Sequence, residues 1–348
     1  MSLPTLHLQA MSPLFTGDAK AETAISDRLN LWVQWTQSPG HMKLRKTVRT
    51  ASISPYYPGA EIFIPKEGVR DAVKVSFPPN VGARVPKGFI ARLHLLVLLE
   101  RAEQSGLDPA NVIFACIDGS GAFDFDSLQL LIEPFVEDAN IDVVFGRRPD
   151  GNPGMPMARK VVEEFEQYLL FRHRPKELKK AFPDCDLEKG ILPDGQAGCW
   201  AFRLKVGTRL QLAASGYEIE FDLLASVLEL GLKACYSKPL LMPMKDRTSL
   251  ASLTAVPMSI KKLGFIERKL GISRSEIAEG WSAFATLARN WPDSELLRET
   301  FVREFAKPTP QGAILPAYQK ALMKHCAVKT SVRKEHEKAS LLPTPTVR

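Results

Sequence analysis

The chain has 348 residues, 45% of them hydrophobic and 24% charged, with a formal net charge of +7. That is enough to bury a real core in one large α/β domain, with or without a helical appendage. The mild basic excess is compatible with phosphate groups, nucleic acid or an acidic membrane surface and selects none of them, while five scattered cysteines with no C-x-x-C spacing argue against a disulfide framework or a zinc site.

The opening segment "MSLPTLHLQAMSPLF" lacks a basic stretch followed by a long apolar run, and "LHLLVLL", the longest aliphatic stretch, is far shorter than the ~20 residues of a bilayer span. The expectation is a cytoplasmic protein. Residues 1–50 read as an N-terminal extension rich in turn formers, with a basic cluster at Lys43, Arg45, Lys46 and Arg49. After "SPYYPG", the run "AEIFIP" predicts a short strand and "DAVKVSFPPN" a second, stopped by its double proline. "GFIARLHLLVLLERAEQSG" predicts a helix, with Ile90, Leu93, Val97 and Leu98 at helical spacing and Gly106 as its stop.

Val112 to Ile117 is an apolar run of strand length, as expected for a central strand buried on both faces. "DSLQLLIEPFVED" predicts a helix with Leu128, Leu131, Ile132 and Phe135 on one face, and "IDVVFGRR" the next strand. "MPMARKVVEEFEQYLLFRHR" predicts a long amphipathic helix with Val161, Phe165, Tyr168 and Leu169 in register. "LPDGQAGCWAFRL" reads as a polar turn before an apolar strand. In "GYEIEFDLLASVLELGL", Glu218, Glu220 and Asp222 lie in the first turn of a helix, where acids complement the positive end of its dipole. Beyond Pro257 the pattern is wholly helical, and residues 328–348 read as a disordered basic tail.

Alternating strands and helices of these lengths imply right-handed crossovers and a doubly wound, mostly parallel sheet with ligands at the carboxyl ends of its strands. Asp118 then falls just past a strand's carboxyl end, where a carboxylate can face a ligand. Asp126 is placed to cap the helix beginning near Ser127, and Asp124 is open to either role.

The succession "VIFACIDGSGAFDFDSLQLLIEPFVEDANIDVVFGRR", "MPMARKVVEEFEQYLL", "LPDGQAGCWAFR" and "GYEIEFDLLASVLELGLK" resembles GT-A glycosyltransferases of the dolichyl-phosphate mannosyltransferase type, from Val112 to roughly Pro243. That family has a D-x-D-G-Q loop, a "DVVIGSR"-like strand, a "D-x-Q-x-G-F-R-A-F" segment and a "GYEIE-x-E-L" helix in the same order. The resemblance implies a nucleotide-sugar donor, Mg²⁺ or Mn²⁺, and inverting transfer to an acceptor. It matches Asp118 to the second acid of D-x-D, as donor and metal ligand, and puts Cys116, a poor ligand for a hard cation, at the first, so that either Asp124 or Asp126 compensates, or metal dependence is weak, or the activity is lost. It matches Asp194 and Gln196 to the D-x-Q segment. Asp194 would be the general base if the acceptor is a hydroxyl, and would only position the acceptor if that is an anionic lipid phosphate. Trp200 replaces a basic residue that follows Gly198 in the family.

Toward the N-terminus, "IFIPKEGVRDAV" aligns with the nucleotide loop and puts Lys66, Glu67, Gly68 and Asp71 there, while "PPNVGARVPKGFIARL" brings Lys87 and Gly88 toward the diphosphate. Arg147 and Arg148 end a strand on the ligand side, where arginine grips phosphate bidentately, and the resemblance puts Lys245 and Arg247 after the last strand, facing the diphosphate; surface ion pairs are the alternative for either pair. The implied organisation is an extension over 1–50, a GT-A-like domain over 51–257, a helical region over 258–327 and a tail over 328–348. A silent GT-A-like protein that binds a nucleotide or partner is the second reading. A nucleotidyltransferase lacks its G-x-G-x-R loop, and nucleic-acid binding lacks interleaved aromatics. Peripheral contact with an anionic membrane is open to the helical region and the basic tail.

Overall fold

A computed structural model describes residues 5–11, 49–57, 61–65, 72–76, 87–104, 106, 108–118, 123, 127–148, 157–187, 195–240, 255–288 and 317–327. In chain order these form β1 (Thr5–Met11), β2 (Arg49–Tyr57), β3 (Glu61–Pro65), β4 (Ala72–Ser76), α1 (Lys87–Gln104), β5 (Val112–Asp118) and α2 (Ser127–Glu137). They continue with β6 (Val143–Arg147), α3 (Met157–His173), α4 (Pro175–Ala181), β7 (Cys199–Arg203), α5 (Leu204–Gly207), α6 (Ile219–Glu229), β8 (Ala234–Pro239), α7 (Ala255–Leu270) and α8 (Arg274–Ala288). Residues 317–327 form a last helix, α9.

The chain is a mixed α/β protein that divides into two compact units. One holds the sheet with α1, α2, α4, α5 and α6, and the other holds α3, α7, α8 and α9. Among the described residues the strands make one eight-stranded sheet in the order β4-β3-β2-β1-β5-β7-β6-β8. The sequence predicts a mostly parallel sheet, and the ladder is mixed. Pairings β1 with β2, β1 with β5 and β6 with β8 are parallel, whereas β2 with β3, β3 with β4, β5 with β7 and β6 with β7 are antiparallel. Two reversed strands, β3 and β7, account for every antiparallel pairing. Residues 1–50, read as an extension, contribute β1 to the middle of the sheet, between β2 and β5.

β5 is buried from Val112 to Cys116, as its run of apolar and β-branched residues requires of a strand covered on both faces. Its residues alternate between two cores. Ile113 and Ala115 join Val144, Cys199 and Ala201 against the apolar face of α2, built from Leu128, Leu131, Ile132 and Phe135. Phe114 faces the other way with Trp200 and Phe202, whose rings lie 5.6 and 5.2 Å from its own. On that second face Leu95 of α1 and Phe202 both lie against Gly207, and Phe182, just past α4, stacks on Tyr236 and meets Phe145. Helical segments therefore cover both faces of the sheet.

In the helical unit, α3 packs its aromatic face on α8: Phe165 meets Trp281 edge-on at 4.9 Å and Phe284 at 5.6 Å, and Tyr168 also touches Phe284. The fully buried Glu166 is paired with Lys262 of α7 at 2.9 Å. Removing one partner of such a pair leaves an uncompensated charge in the interior, typically at a cost of about 3–5 kcal/mol. The sequence reading put α3 in the central α/β region, and its contacts group it with the C-terminal helices.

Candidate functional site

The register of three strands builds the candidate site. Ile117 of β5 is opposite Cys199 of β7, so the next rung sets Asp118 opposite Gly198. On the other side of β7, Phe145 of β6 is opposite Trp200, and Arg147, two residues further, reaches the level of Gly198. Because β7 runs against its neighbours, its amino end meets the carboxyl ends of β5 and β6. The residue positions Asp118, Gly198 and Arg147 thus line one edge of the sheet, with Asp118 and Arg147 separated by two strand spacings, about 10 Å. β1 ends at the same edge, with Met11 paired to Asp118. This is the edge at which sheets of this class bind ligands.

The backbone at this edge is tightly specified. Gly198 has φ 76°, a left-handed conformation that costs other L-residues roughly 1–2 kcal/mol, and it turns the buried segment Gly195 to Gly198 into β7. Gln196 lies inside that turn at 3% exposure. Arg147 is pinned to β8 through its backbone: its N–H donates to Ser237 Oγ at 3.1 Å, and its carbonyl accepts the Leu240 N–H at 2.8 Å. Its side chain is exposed, beyond four buried residues of β6.

A second device holds the loop before α6. Asp222, completely buried in that helix, accepts the N–H groups of Ala213 and Ala214 on one oxygen at 2.6 and 2.8 Å. The loop then abuts the start of α1, where Gly88 approaches the backbone of Ala214 and Ser215 so closely that a β-carbon at 88 would collide with it. Gly88 is therefore explained by helix-to-loop packing. α1 leads into β5 and α6 into β8, so both helices begin on the carboxyl-end side of the sheet. The sequence placed Asp222 among dipole-complementing acids; its bond eight and nine residues back has no local sequence signal.

Two positions at which the chain departs from the resembling family lie in the core. Cys116, matched to the first acid of the D-x-D pair, is fully buried inside β5, opposite Trp200. Trp200, matched to a basic position beside the acceptor, is 1% exposed and stacked on Phe202 with an interplanar angle of 5°. Both belong to the core because each lies within a central strand and not past its end.

The remaining site residues are only partly described. Asp118 is placed by its backbone at the end of β5, and Lys87 is the first residue of α1; their side chains lie outside the described residues. Glu67, Asp194 and Arg247 lie outside them altogether, as do Lys66, Gly68, Asp71, Asp124, Asp126 and Lys245. Among the described residues no group of three or more His, Cys, Asp or Glu side chains could hold a metal ion. With Cys116 sealed in the core, the D-x-D segment offers Asp118 as its one carboxylate position, and the side chains of Asp118, Asp124 and Asp126 lie outside the described residues.

No helix among the described residues is long and apolar enough to cross a membrane. No family model matches the chain, and no curated protein matches it.

Proposed function

We propose that the chain is a GT-A-type glycosyltransferase that moves a sugar from a nucleotide-sugar donor to a hydroxyl or lipid-phosphate acceptor with inversion. The observation that carries this reading is the rung at which Asp118, Gly198 and Arg147 share the carboxyl edge of the sheet. A doubly wound sheet in which most strands run one way, with its polar turn delivered to that edge by a reversed strand, supports the GT-A-like assignment.

In this reading Arg147, an exposed residue, takes the donor diphosphate through paired N–H groups, and Asp118, Glu67, Lys87 and Arg247 complete the donor site. Gln196, held in the buried turn, orients the reacting sugar. Asp194, two residues before it, removes the proton of an acceptor hydroxyl on the face opposite the leaving nucleotide, or positions an acceptor that is already anionic. A divalent cation would neutralise the leaving diphosphate, but with only one carboxylate position at the D-x-D segment no step is assigned to it.

Calorimetric titration with UDP-, GDP- and ADP-sugars, with and without Mn²⁺, together with an assay of slow donor hydrolysis, tests the proposal. Binding of one donor with hydrolysis is the expected result. Binding without turnover identifies the second reading, a silent nucleotide-binding protein, which the burial of Cys116 favours. Asp118→Asn is expected to abolish metal-dependent donor binding and leave the fold intact; unchanged Mn²⁺ dependence removes Asp118 from the site.

A further inference from the structure

We propose that α7 and α9 form a docking face for an anionic lipid bilayer. The inference is independent of whether the sheet unit transfers a sugar. α7 carries Lys261, Lys262, Arg268 and Lys269 against one acid, Glu267, and α9 carries Lys320 and Lys324 and no acid at all. The side chains of opposite role are turned inward. Lys262 is consumed by the buried Glu166, while Glu267 takes Arg274 Nε at 3.3 Å and lies 3.6 Å from His325 Nε2. Arg274 also donates to the His325 carbonyl at 2.8 Å, so the cluster that neutralises Glu267 fastens α9 against α7 and α8.

What remains outward is basic, with methionine set in it. On α7, Met258, Lys261 and Arg268 are exposed at positions i, i+3 and i+10, which fall on one face of a helix. On α9, the exposed Met323 lies between the exposed Lys320 and Lys324. Met258 and Met323, 39% and 38% exposed, are two of the few large apolar side chains among the described residues that reach solvent to this degree. By contrast the exposed acid Glu279 lies on α8, which also carries the half-buried Glu276, so the acids of these helices other than Glu267 are kept off α7 and α9.

A helix with a cationic polar face and protruding unbranched apolar side chains suits a headgroup boundary. Lysine stems follow the apolar surface while their ammonium groups meet anionic lipid, and the thioethers enter the outer acyl region. Neither helix is long and apolar enough to cross the bilayer, so each would lie on it. The chemistry fits nucleic acid less well, because methionine and not a stacking aromatic sits among the cations.

Cosedimentation of the full chain with vesicles tests the inference. Binding is expected to mixed phosphatidylcholine and phosphatidylserine vesicles, not to pure phosphatidylcholine, and to fall with added salt. Each cation near such a surface is worth about fivefold in binding constant, so Lys320→Gln with Lys324→Gln should weaken binding about thirtyfold. Lys261→Gln with Arg268→Gln should do the same from the other helix. Met258→Ser with Met323→Ser should weaken binding at every salt concentration with all charges intact. All six side chains are exposed, and circular dichroism is expected to stay unchanged. No binding to the mixed vesicles, equal binding to pure phosphatidylcholine, or insensitivity to the methionine changes overturns the proposal. So does poly(U) displacing the vesicles from the chain while binding the methionine variant as tightly as the parent.

Discussion

Replacing Asp222 by alanine should destabilise the sheet unit by about 3 kcal/mol. The carboxylate accepts two backbone N–H groups, and hydrogen bonds to a charged acceptor contribute roughly 1.5–3 kcal/mol each. The two are not equal. Ala214 is 2% exposed, so its N–H loses its partner with no water to replace it, at about 2 kcal/mol. Ala213 is exposed and its N–H can be rehydrated, leaving about 1 kcal/mol. For a folded unit of this size the total corresponds to a fall of about 6–12 °C in midpoint. Asp222→Asn keeps an acceptor oxygen and should lose only about 1 kcal/mol. Urea unfolding of the three proteins, with hydrogen exchange read at Ala213 and Ala214, measures the effect. Asp222→Ala should strip protection from both amides. A loss below ~0.5 kcal/mol, or amides still protected in that variant, would refute the claim that this carboxylate holds the loop against Gly88.

Further expectations follow from other parts of the chain. Trp200→Phe should leave donor binding unchanged and shift stability by only about 1–2 kcal/mol, since it trades ring volume against removal of a buried indole N–H with no partner among the described residues. Trp200→Arg, which restores the basic residue of the resembling family, should prevent folding of the sheet unit; a folded, donor-binding Trp200→Arg protein would show the position to be solvent-facing. Burial raises the thiols of Cys185 and Cys235 to about 11, so at pH 8 about one molecule in a thousand carries either thiolate. A maleimide should therefore label both slowly until urea is added, and labelling within minutes in buffer would contradict their placement.

α8 begins with a capping box: the Ser273 N–H and hydroxyl donate to Glu276 at 2.7 and 2.8 Å, and the Glu276 N–H donates to Ser273 Oγ at 3.2 Å. The Ser273 N–H, then its hydroxyl, hold the Glu276 carboxyl below its ordinary value. A lowered folded value means that the stabilisation is present above the unfolded value and is lost as pH falls through the folded one. The stability gap between the parent and Glu276→Gln should therefore be widest near neutrality and close in acid. A gap independent of pH would show that the carboxylate does not cap the helix.

Between Val112 and Glu229, β5, α2, β6, α3, β7 and α6 were legible in order because burial writes itself into local pattern, while the short α4 and α5 were not foreseen. The apolar run of β5, the 3.6-residue spacing in α2 and α3, and the polar turn before β7 each appear within a dozen residues. β1 was legible in principle, since "TLHLQAM" alternates with period two, but its partners β2 and β5 are remote in sequence and nothing local reveals them. The reversed strand β7 was recognised as a strand, while its direction depends on where the chain re-enters the sheet.

Around the candidate site, the sequence put Asp118 and Arg147 at strand ends by pattern and Gln196 in the turn before β7 by resemblance, and the structure has all three at those places. The motif match marked Cys116 and Trp200 as departures from the family pattern, and it could not say that both side chains lie in the core, because a match does not tell on which side of a strand's last buried rung a residue falls. Asp222 was recognised as an acid of a first helical turn, and its function as a loop clamp depends on a bond that only the folded chain makes.

The central claim is that the rung joining β5, β7 and β6 holds the diphosphate of a nucleotide-sugar. Hydrogen–deuterium exchange of the full chain, with and without a saturating UDP-, GDP- or ADP-sugar, tests it at residue level. The account predicts slowed exchange together in three peptides, those containing Asp118, Gly198 and Arg147. Protection confined to other segments in the presence of a donor shown to bind, or no protection with any of the three donors, would contradict it.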